Sequence, residues 1–291
     1  MVSGMSINVC HTALRVSRAS LVAIFAWLVA VPSHLAAQAT KADSAAALAK
    51  ASQNPLASLI SLPFQFNFNS GGGLEGKTSL TVNFQPVIPI KGVLKNWTII
   101  ARTIVPYLST PAGATRQSGF ADIQQQLFFT PAKSGSVIWG IGPLFSFPTA
   151  TTDAGATGSW AIGPAGVVLS NQGPFVLGAL VTNLTTFADD GEAPEVNQFL
   201  LQPFINYNFG GGWAASFVPN ITANWDAPDG EQWTVPLGIG VSKTTAFNSR
   251  PMTLGMNYYH NVEHPTAGPA NRFQMSIALL YPSRPKPAPA P

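Results

Sequence analysis

Alternation of apolar and polar side chains is the dominant pattern of this chain, and it is plainest between Gln198 and Asp226. Phe199, Leu201, Pro203, Ile205, Tyr207 and Phe209 fall on one parity, with Gln198, Gln202, Asn206 and Asn208 on the other. Gly210, Gly211 and Gly212 then turn the chain. Trp213, Ala215, Phe217, Pro219, Ile221, Ala223 and Trp225 repeat the apolar parity, against Ser216, Asn220, Thr222 and Asn224. Successive side chains of a strand point to opposite faces, so the two runs predict an antiparallel pair with one apolar and one polar face. The polar face is amide and hydroxyl rather than Lys and Glu. A soluble sheet commonly carries charge on its wet side, whereas a transmembrane barrel turns one face to lipid and a hydrated face to its lumen. The pair predicts an outer-membrane barrel.

The remaining strands follow in order. Phe64, Phe66 and Phe68 alternate with Gln65, Asn67 and Asn69 near Leu59 to Asn69, and Leu80, Val82, Phe84 and Ile88 alternate with Ser79, Thr81, Asn83 and Gln85. Trp97 to Tyr107, Asp122 to Thr130, Val137 to Pro148, Trp160 to Ser170 and Phe175 to Phe187 come next. After the pair described first stand Gln232 to Ser242, Met252 to Val262 and Arg272 to Tyr281. The sum is about twelve antiparallel strands, an even number as bacterial barrels require.

Connections alternate in length. Lys91 to Asn96, Lys133 to Ser136, Asn171 to Pro174, Gly210 to Gly212 and Thr245 to Pro251 are short, while Ser109 to Gly119, Thr149 to Ser159, Ala188 to Glu195 and Asp226 to Glu231 tend to be longer. Charge sorts the same way. The longer loops hold Glu75, Asp153, Asp189, Asp190, Glu192, Glu195, Asp226, Asp229, Glu231 and Glu263, and the short turns hold Lys91, Lys95, Lys133 and Arg250. Short periplasmic turns and longer extracellular loops are the barrel pattern, with both termini in the periplasm. Against it stand Pro86, Pro106, Pro143, Pro164, Pro203, Pro219 and Pro236, all inside predicted strands. Proline cannot donate a ladder hydrogen bond, so each is expected to mark a bulge, a strand end or a misplaced boundary.

Composition bounds the rest. Charged residues are 9% and apolar residues 46% of the chain, so a spanning helix would have to be a visible apolar run, and the mature part has none. The one candidate, Ala19 to Val31 behind Arg15 and Arg18 and ahead of Ala37-Gln38-Ala39, has the form of a secretory signal cleaved before Thr40. An uncleaved anchor is the alternative, disfavoured by its length. Cys10 would leave with the signal, and the mature chain then offers no disulfide in an oxidising compartment. The expected organisation is a signal over 1–39, a helical or flexible leader over 40–55, a barrel over 56–282 and a proline-rich tail over 283–291. Asp43 to Gln53 has helix-forming composition, stopped by Asn54-Pro55, and serves equally as a periplasmic or barrel-plugging helix or as a disordered leader.

At the far end Phe273, Met275, Ile277, Leu279 and Tyr281 keep the apolar parity, and this resembles the aromatic-terminated last strand read by outer-membrane assembly machinery. Asn54-Pro55-Leu56-Ala57-Ser58-Leu59-Ile60-Ser61, Leu201 to Phe209 and Trp233-Thr234-Val235-Pro236-Leu237-Gly238 resemble a family of bacterial outer-membrane transporter-like barrels, some of whose members carry the label neuromedin U. Gly119-Phe120-Ala121-Asp122 is similar to a Gly-x-x-Asp step in the related outer-membrane proteins of phenol meta-cleavage pathways. The resemblance spans nearly the whole mature chain. It implies a Gram-negative barrel passing small, aromatic or hydrophobic, molecules, and it transfers no binding residues.

Enzyme chemistry finds few residues to use. His260-Asn261-Val262-Glu263-His264 fits an inverted zincin pattern, but that chemistry needs both imidazoles on one helical face, and here Pro265 follows a strand. His260 and His264 remain weak metal candidates at the rim. No Gly-x-Ser-x-Gly elbow exists, Gly140-Ile141-Gly142 and Gly238-Ile239-Gly240 lack a following helix, and no basic aromatic surface for nucleic acid is present. No catalytic residue and no cofactor are expected.

Trp97, Trp139, Trp160, Trp213, Trp225 and Trp233 lie near strand ends, where interfacial girdles form. Trp213 and Trp225 share a parity, and at ~3.3 Å per residue with a tilt of about 40° they stand roughly 30 Å apart along the membrane normal. Inside, Arg102 has the polar parity of its strand, and Asp122 shares a face with Gln124 and Gln126. Arg102 and Asp122 could face one another as a constriction that orients a polar head group, or form a structural ion pair. The loop carboxylates Asp189, Asp190, Glu192, Asp229 and Glu231 would make one rim negative, giving modest cation preference at low salt or holding divalent cations against lipopolysaccharide phosphates. The sequence thus predicts a monomeric channel or uptake protein for small solutes, in contact with outer-membrane lipid, lipopolysaccharide and the barrel assembly machinery. A structural or adhesive barrel with a plugged lumen is the alternative; a barrel-embedded hydrolase is disfavoured by the shortage of histidine.

Overall fold

The computed structural model describes residues 39–72, 76–188, 195–248 and 250–282. A short helix, α1 (Ala39–Ser52), precedes twelve antiparallel strands that close into a barrel. They are β1 (Leu59–Ser70), β2 (Ser79–Phe84 and Val87–Leu94), β3 (Trp97–Ala112), β4 (Thr115–Phe120 and Ile123–Pro131), β5 (Val137–Phe147) and β6 (Trp160–Gln172). β7 (Phe175–Ala188), β8 (Asn197–Gly210), β9 (Trp213–Phe217 and Ile221–Asn224), β10 (Trp233–Phe247), β11 (Arg250–Glu263) and β12 (Asn271–Pro282) complete the ring. Each strand pairs with its sequence neighbours, and β1 closes on β12 from Leu59 opposite Pro282 to Ser70 opposite Asn271. Closure satisfies every edge, which a chain without disulfides needs. Residues 1–38 of the predicted signal segment and the tail over 283–291 lie outside the described residues.

Every predicted strand is present. Ser109 to Gly119, expected as a loop, belongs instead to the sheet. Here β3 and β4 run on as a hairpin, Ser109 opposite Ser118 and Ala112 opposite Thr115, around Gly113 in the left-handed region at φ +60°. Thr110, Gln117 and Ser118 suit a strand that projects into water with no apolar face to bury, so the alternation rule had nothing to detect.

The prolines explain three of the sheet's irregularities. Pro86 sits in the break of β2, and Pro106 lies beside the break of β4, where Ala121 N donates to its carbonyl at 2.9 Å. Pro219 sits in the break of β9, with Pro203 on one neighbouring strand and Pro236, beside a register shift, on the other. Pro143 and Pro164 stand directly opposite one another across β5 and β6. The ladder from β5 to β4 lapses at Leu127 and Phe128, and that from β6 to β7 lapses at Asn183 and Leu184. Aligning prolines on adjacent strands confines the missing donors to a few shared gaps.

The Gly-Pro pairs at Gly142-Pro143 and Gly163-Pro164 also shape the wall. The carbonyl oxygens of Leu127 and Asn183 come within 1.8 and 1.6 Å of where a β-carbon would stand on Gly142 and Gly163. Only glycine fits there, because the neighbouring backbones pass against the inner face of β5 and β6. Over this step the outer face carries an apolar hollow of about 800 Å³ bordered by Trp97, Phe129, Ile141, Pro164, Val181 and Phe199.

Outside, the expected parity holds. Ile205, Tyr207 and Phe209 are 47%, 41% and 56% exposed, while Asn206 and Asn208 on the alternate parity are buried. Aromatic rings gather near both ends of the strands. Trp97 packs edge-on against Trp139 near the short turns, and Trp225 packs against Trp233 and Phe199 near the long loops.

Candidate functional site

The interior of the barrel is the candidate site, and it divides into two unlike halves. Inward-facing positions of β4 to β7 include Phe128, Leu144, Val167, Leu169, Val176, Leu180 and Leu184, all buried. They pack with Ile100 of β3, Phe204 of β8 and Leu56 into one apolar cluster. Both parities of β6 and β7 are apolar, as in Ala165, Val167 and Leu169 beside Ile162, Val168 and Val181. A strand apolar on both faces is buried on both, or faces lipid on one and a packed core on the other. That doubled apolarity was the available sequence signal for a filled half-lumen.

The other half is an amide lattice on β1, β2 and β8 to β12. Gln274 donates to Asn67 Oδ1 at 2.7 Å, Asn257 donates to Gln274 Oε1 at 2.9 Å, and Ser216 Oγ donates to Asn257 Oδ1 at 3.2 Å. Gln202 bonds Asn220 across β8 and β9. These groups line a cavity of about 370 Å³ that also holds Arg102, Arg272 and Tyr259. A second cavity of about 230 Å³ continues it toward α1, sharing Gln65, Gln85, Arg102, Gln202 and Asn206 and adding Phe204, Val87 and Leu59. Polar lattice and apolar wall meet at β3 and β8, whose inward faces alternate between the two kinds.

α1 lies at the short-turn end. Ala49 is buried, Lys50 Nζ donates to Gly173 O at 2.6 Å, and Thr253 Oγ1 donates to Ser52 Oγ at 3.3 Å. Gln53 and Asn208 bond amide to amide, 3.1 Å each way. The helix stops because Asn54 Oδ1 accepts from Leu56 N at 2.8 Å and Pro55 cannot continue it. Of the readings open for this segment, the structure has a helix, seated against the turns and the lower lumen.

The structure separates Arg102 from Asp122. Gln126, not Asp122, is the register partner of Arg102, and the guanidinium donates to Gln126 Oε1 at 3.2 Å and Gln85 Oε1 at 2.6 Å. Asp122, buried at the break of β4, instead accepts four hydrogen bonds from the β5–β6 loop: Thr149 N and Ala150 N on Oδ1, Thr157 N and Thr157 Oγ1 on Oδ2, at 2.7 to 2.9 Å. It is a loop anchor. Gln124 lies farther toward the loops, lining a separate hollow of about 460 Å³ with Leu144, Thr182, Leu200 and Glu231.

Of the proposed rim, Asp189, Asp190 and Glu192 lie outside the described residues. Asp229 is exposed, and Glu231 accepts from Thr266 N at 2.7 Å and from Thr266 Oγ1. The hydroxyl bond foremost, then the amide bond, holds the Glu231 carboxyl below the usual carboxylate range. His260 contacts Asn271 Oδ1 at 3.0 Å, and His264 donates from Nδ1 to the carbonyl of Pro265 at 2.8 Å. Among the described residues no group of three or more His, Cys, Asp or Glu comes together to hold a metal.

No protein-family model and no curated protein matches the chain. Solved structures do. An outer membrane channel from Pseudomonas putida F1 is similar with a TM-score of 0.57 at 11% identity, over 77% of this chain and 94% of that one. A bacterial polysaccharide outer membrane secretin gives 0.37 at 9% identity, over 78% and 99%. Outer membrane phospholipase A from Escherichia coli gives 0.42 at 11% identity, over 76% and 92%. The first of these likenesses shows the fold, a barrel of outer-membrane type.

Proposed function

We propose that this protein is an outer-membrane channel for passive passage of small solutes, exported by a cleaved signal and acting as a monomer. The observation that carries the reading is the contrast between the two faces of one wall. The outer face exposes Ile205, Phe209, Ile239 and Tyr258 where a soluble protein would place charge, and the inner face carries an amide lattice around a cavity. Surface of that kind is stable only against hydrocarbon, so the natural surroundings are outer-membrane lipid and lipopolysaccharide. Assembly machinery then recognises the last strand. The resemblance to transporter-like barrels and to phenol-pathway proteins points the same way, toward solutes with an apolar body.

A second reading has its own observation. The bonds of Lys50 and Ser52 in α1, and of Gln53 just after it, to Gly173, Thr253 and Asn208 tie this segment to the short-turn end, which supports a plugged structural or adhesive barrel. Single-channel recording of the purified full-length protein in planar bilayers separates the two. Discrete currents, rising when residues 39–53 are removed, are the expected result. A silent bilayer for both forms, from protein that shifts on gels when boiled, favours the structural barrel. Fractionation as a soluble periplasmic protein overturns both.

A further inference from the structure

Among the described residues the polar half of the lumen holds cations and no anion. Arg102 and Arg272 open on the same cavity, and no Asp or Glu lines that cavity or the one that continues it. Of the acids whose side chains are described, Asp122 lies under its loop, Glu263 ends β11, and Asp153, Glu195, Asp226, Asp229 and Glu231 lie in the long loops. Arg102 donates only to neutral amide oxygens, those of Gln85 and Gln126. Arg272 donates from Nε to Asn69 Oδ1 at 2.9 Å and makes no other hydrogen bond among the described residues. Every nitrogen of a guanidinium is a donor and the group stays charged at any physiological pH. No buried side-chain nitrogen or oxygen lacks a partner among the described residues, so the uncommitted donors of Arg272 face the open cavity.

Their placement defines a path. Arg272 stands at the loop end of β12, opposite Asn69, and Arg102 lies deeper, at the level where β3 pairs with Val87 and Gln126. From Asn69 to Gln65 along β1 is about 13 Å. Gln65 then meets Arg102 through Gln85, whose Nε2 donates to Gln65 Oε1 at 3.0 Å. Just beneath Arg102 the second cavity brings in Phe204, Val87 and Leu59. A permanent cation beside an apolar floor suits a ligand with a charged head and an apolar body. The planar fork of arginine matches a carboxylate with two parallel hydrogen bonds.

Among the described residues the long loops carry the opposite charge, on Asp153, Glu195, Asp226 and Asp229, and position decides between them. Loop carboxylates sit in water, where salt screens them beyond about 10 Å at 0.1 M. Charges in a narrow, partly dehydrated passage act through a lower effective dielectric and dominate there. From this we infer that the lumen between Arg272 and Arg102 is a binding site for the carboxylate of a small apolar organic acid, and that the passage prefers anions. The inference rests on the channel reading above and names its class of solute.

Benzoate and its neutral counterpart benzyl alcohol are the probes, used on the full-length protein in two measurements. Titration calorimetry in detergent reads the site without requiring an open pore, and reversal potential in a potassium chloride gradient reads the passage. Benzoate should bind at least about tenfold more tightly than benzyl alcohol, and Arg272→Gln and Arg102→Gln should each remove that margin. Arg102→Lys should keep part of it, which guards against a variant that merely misfolds. The open channel should prefer chloride. Currents without chloride preference, together with equal binding of the two probes, overturn the inference and leave the channel reading standing. Benzoate binding with no current supports the site and overturns the channel. Neither binding nor current overturns both.

Discussion

The two halves of this lumen share one sheet, one tilt and one closure, and they are built on different physical terms. Behind β4 to β7 the interior is packed as a soluble core is packed, with Phe128 and Leu180 at 0% and 1% exposure and the wall drawn in at Gly142 and Gly163. Behind β9 to β12, β1 and β2 it is an open lattice in which amides bond one another around a cavity of about 370 Å³. The apolar half supplies packing, and the polar half keeps a cavity that a fully packed barrel would close.

The largest test of that division compares a core truncation with a lattice truncation. Phe128→Ala should cost about 3–5 kcal/mol, because it leaves a cavity among immobile neighbours. Asn83→Ala should cost about 1 kcal/mol or less, since Asn83 lines the open cavity and is not packed in the core. Urea titration of both refolded barrels reads the difference, and equal losses would mean that the two halves are not distinct. The contrast between the outer and inner faces comes next. Ile221→Arg places charge on the apolar parity of β9 and should cost about 2–4 kcal/mol near a bilayer midplane, whereas Asn220→Arg, facing the cavity, should chiefly alter conductance. The reverse order would overturn the assigned parity.

Two carboxylate latches extend the comparison to the loops, and theirs is the smallest effect. Asp122 is buried at the edge of the apolar half with four donors, and Asp122→Ala should cost about 1–3 kcal/mol by stranding them. Glu231 closes the loops over the polar half through Thr266 alone, so Glu231→Gln should change global stability little. Its signature is pH dependence. Its folded pKa lies below the ordinary carboxylate value, so its contribution is complete above that value and vanishes as pH falls through the lower, folded one. Exchange of the Thr266 amide should accelerate across that acidic window in the parent and stay flat in Glu231→Gln. A parent with no acceleration there would show that the latch does not hold in solution.

Periodicity made the strands legible. A two-residue repeat such as Phe64 to Asn69 or Trp213 to Trp225 fixes a strand and its faces wherever one side is apolar and the other is not, since a slip of one residue would turn the whole apolar set inward. The projecting β3–β4 hairpin escaped because a strand wet on both faces has no period to show. The seven in-strand prolines were visible as irregularities, but their grouping across neighbouring strands was not, because register between strands is a property of the closed sheet.

The sequence alone therefore determined an even set of antiparallel strands, an apolar outer surface and the amide-lined face of one half of the lumen, all consequences of local alternation and turn chemistry. Which charge meets which was left to closure. Arg102 and Asp122 have compatible parity, yet register sets Gln126 beside Arg102 and delivers Asp122 to the β5–β6 loop. Arg102 and Arg272 are far apart along the chain and share one cavity only because β1 and β2 lie between their strands. The doubled apolarity of β6 and β7 hinted at a filled half-lumen, but only the ring could bring Ile100, Phe128, Leu180 and Phe204 into one cluster. Faces are set by neighbours along the chain; the contents of the lumen are set by neighbours across it.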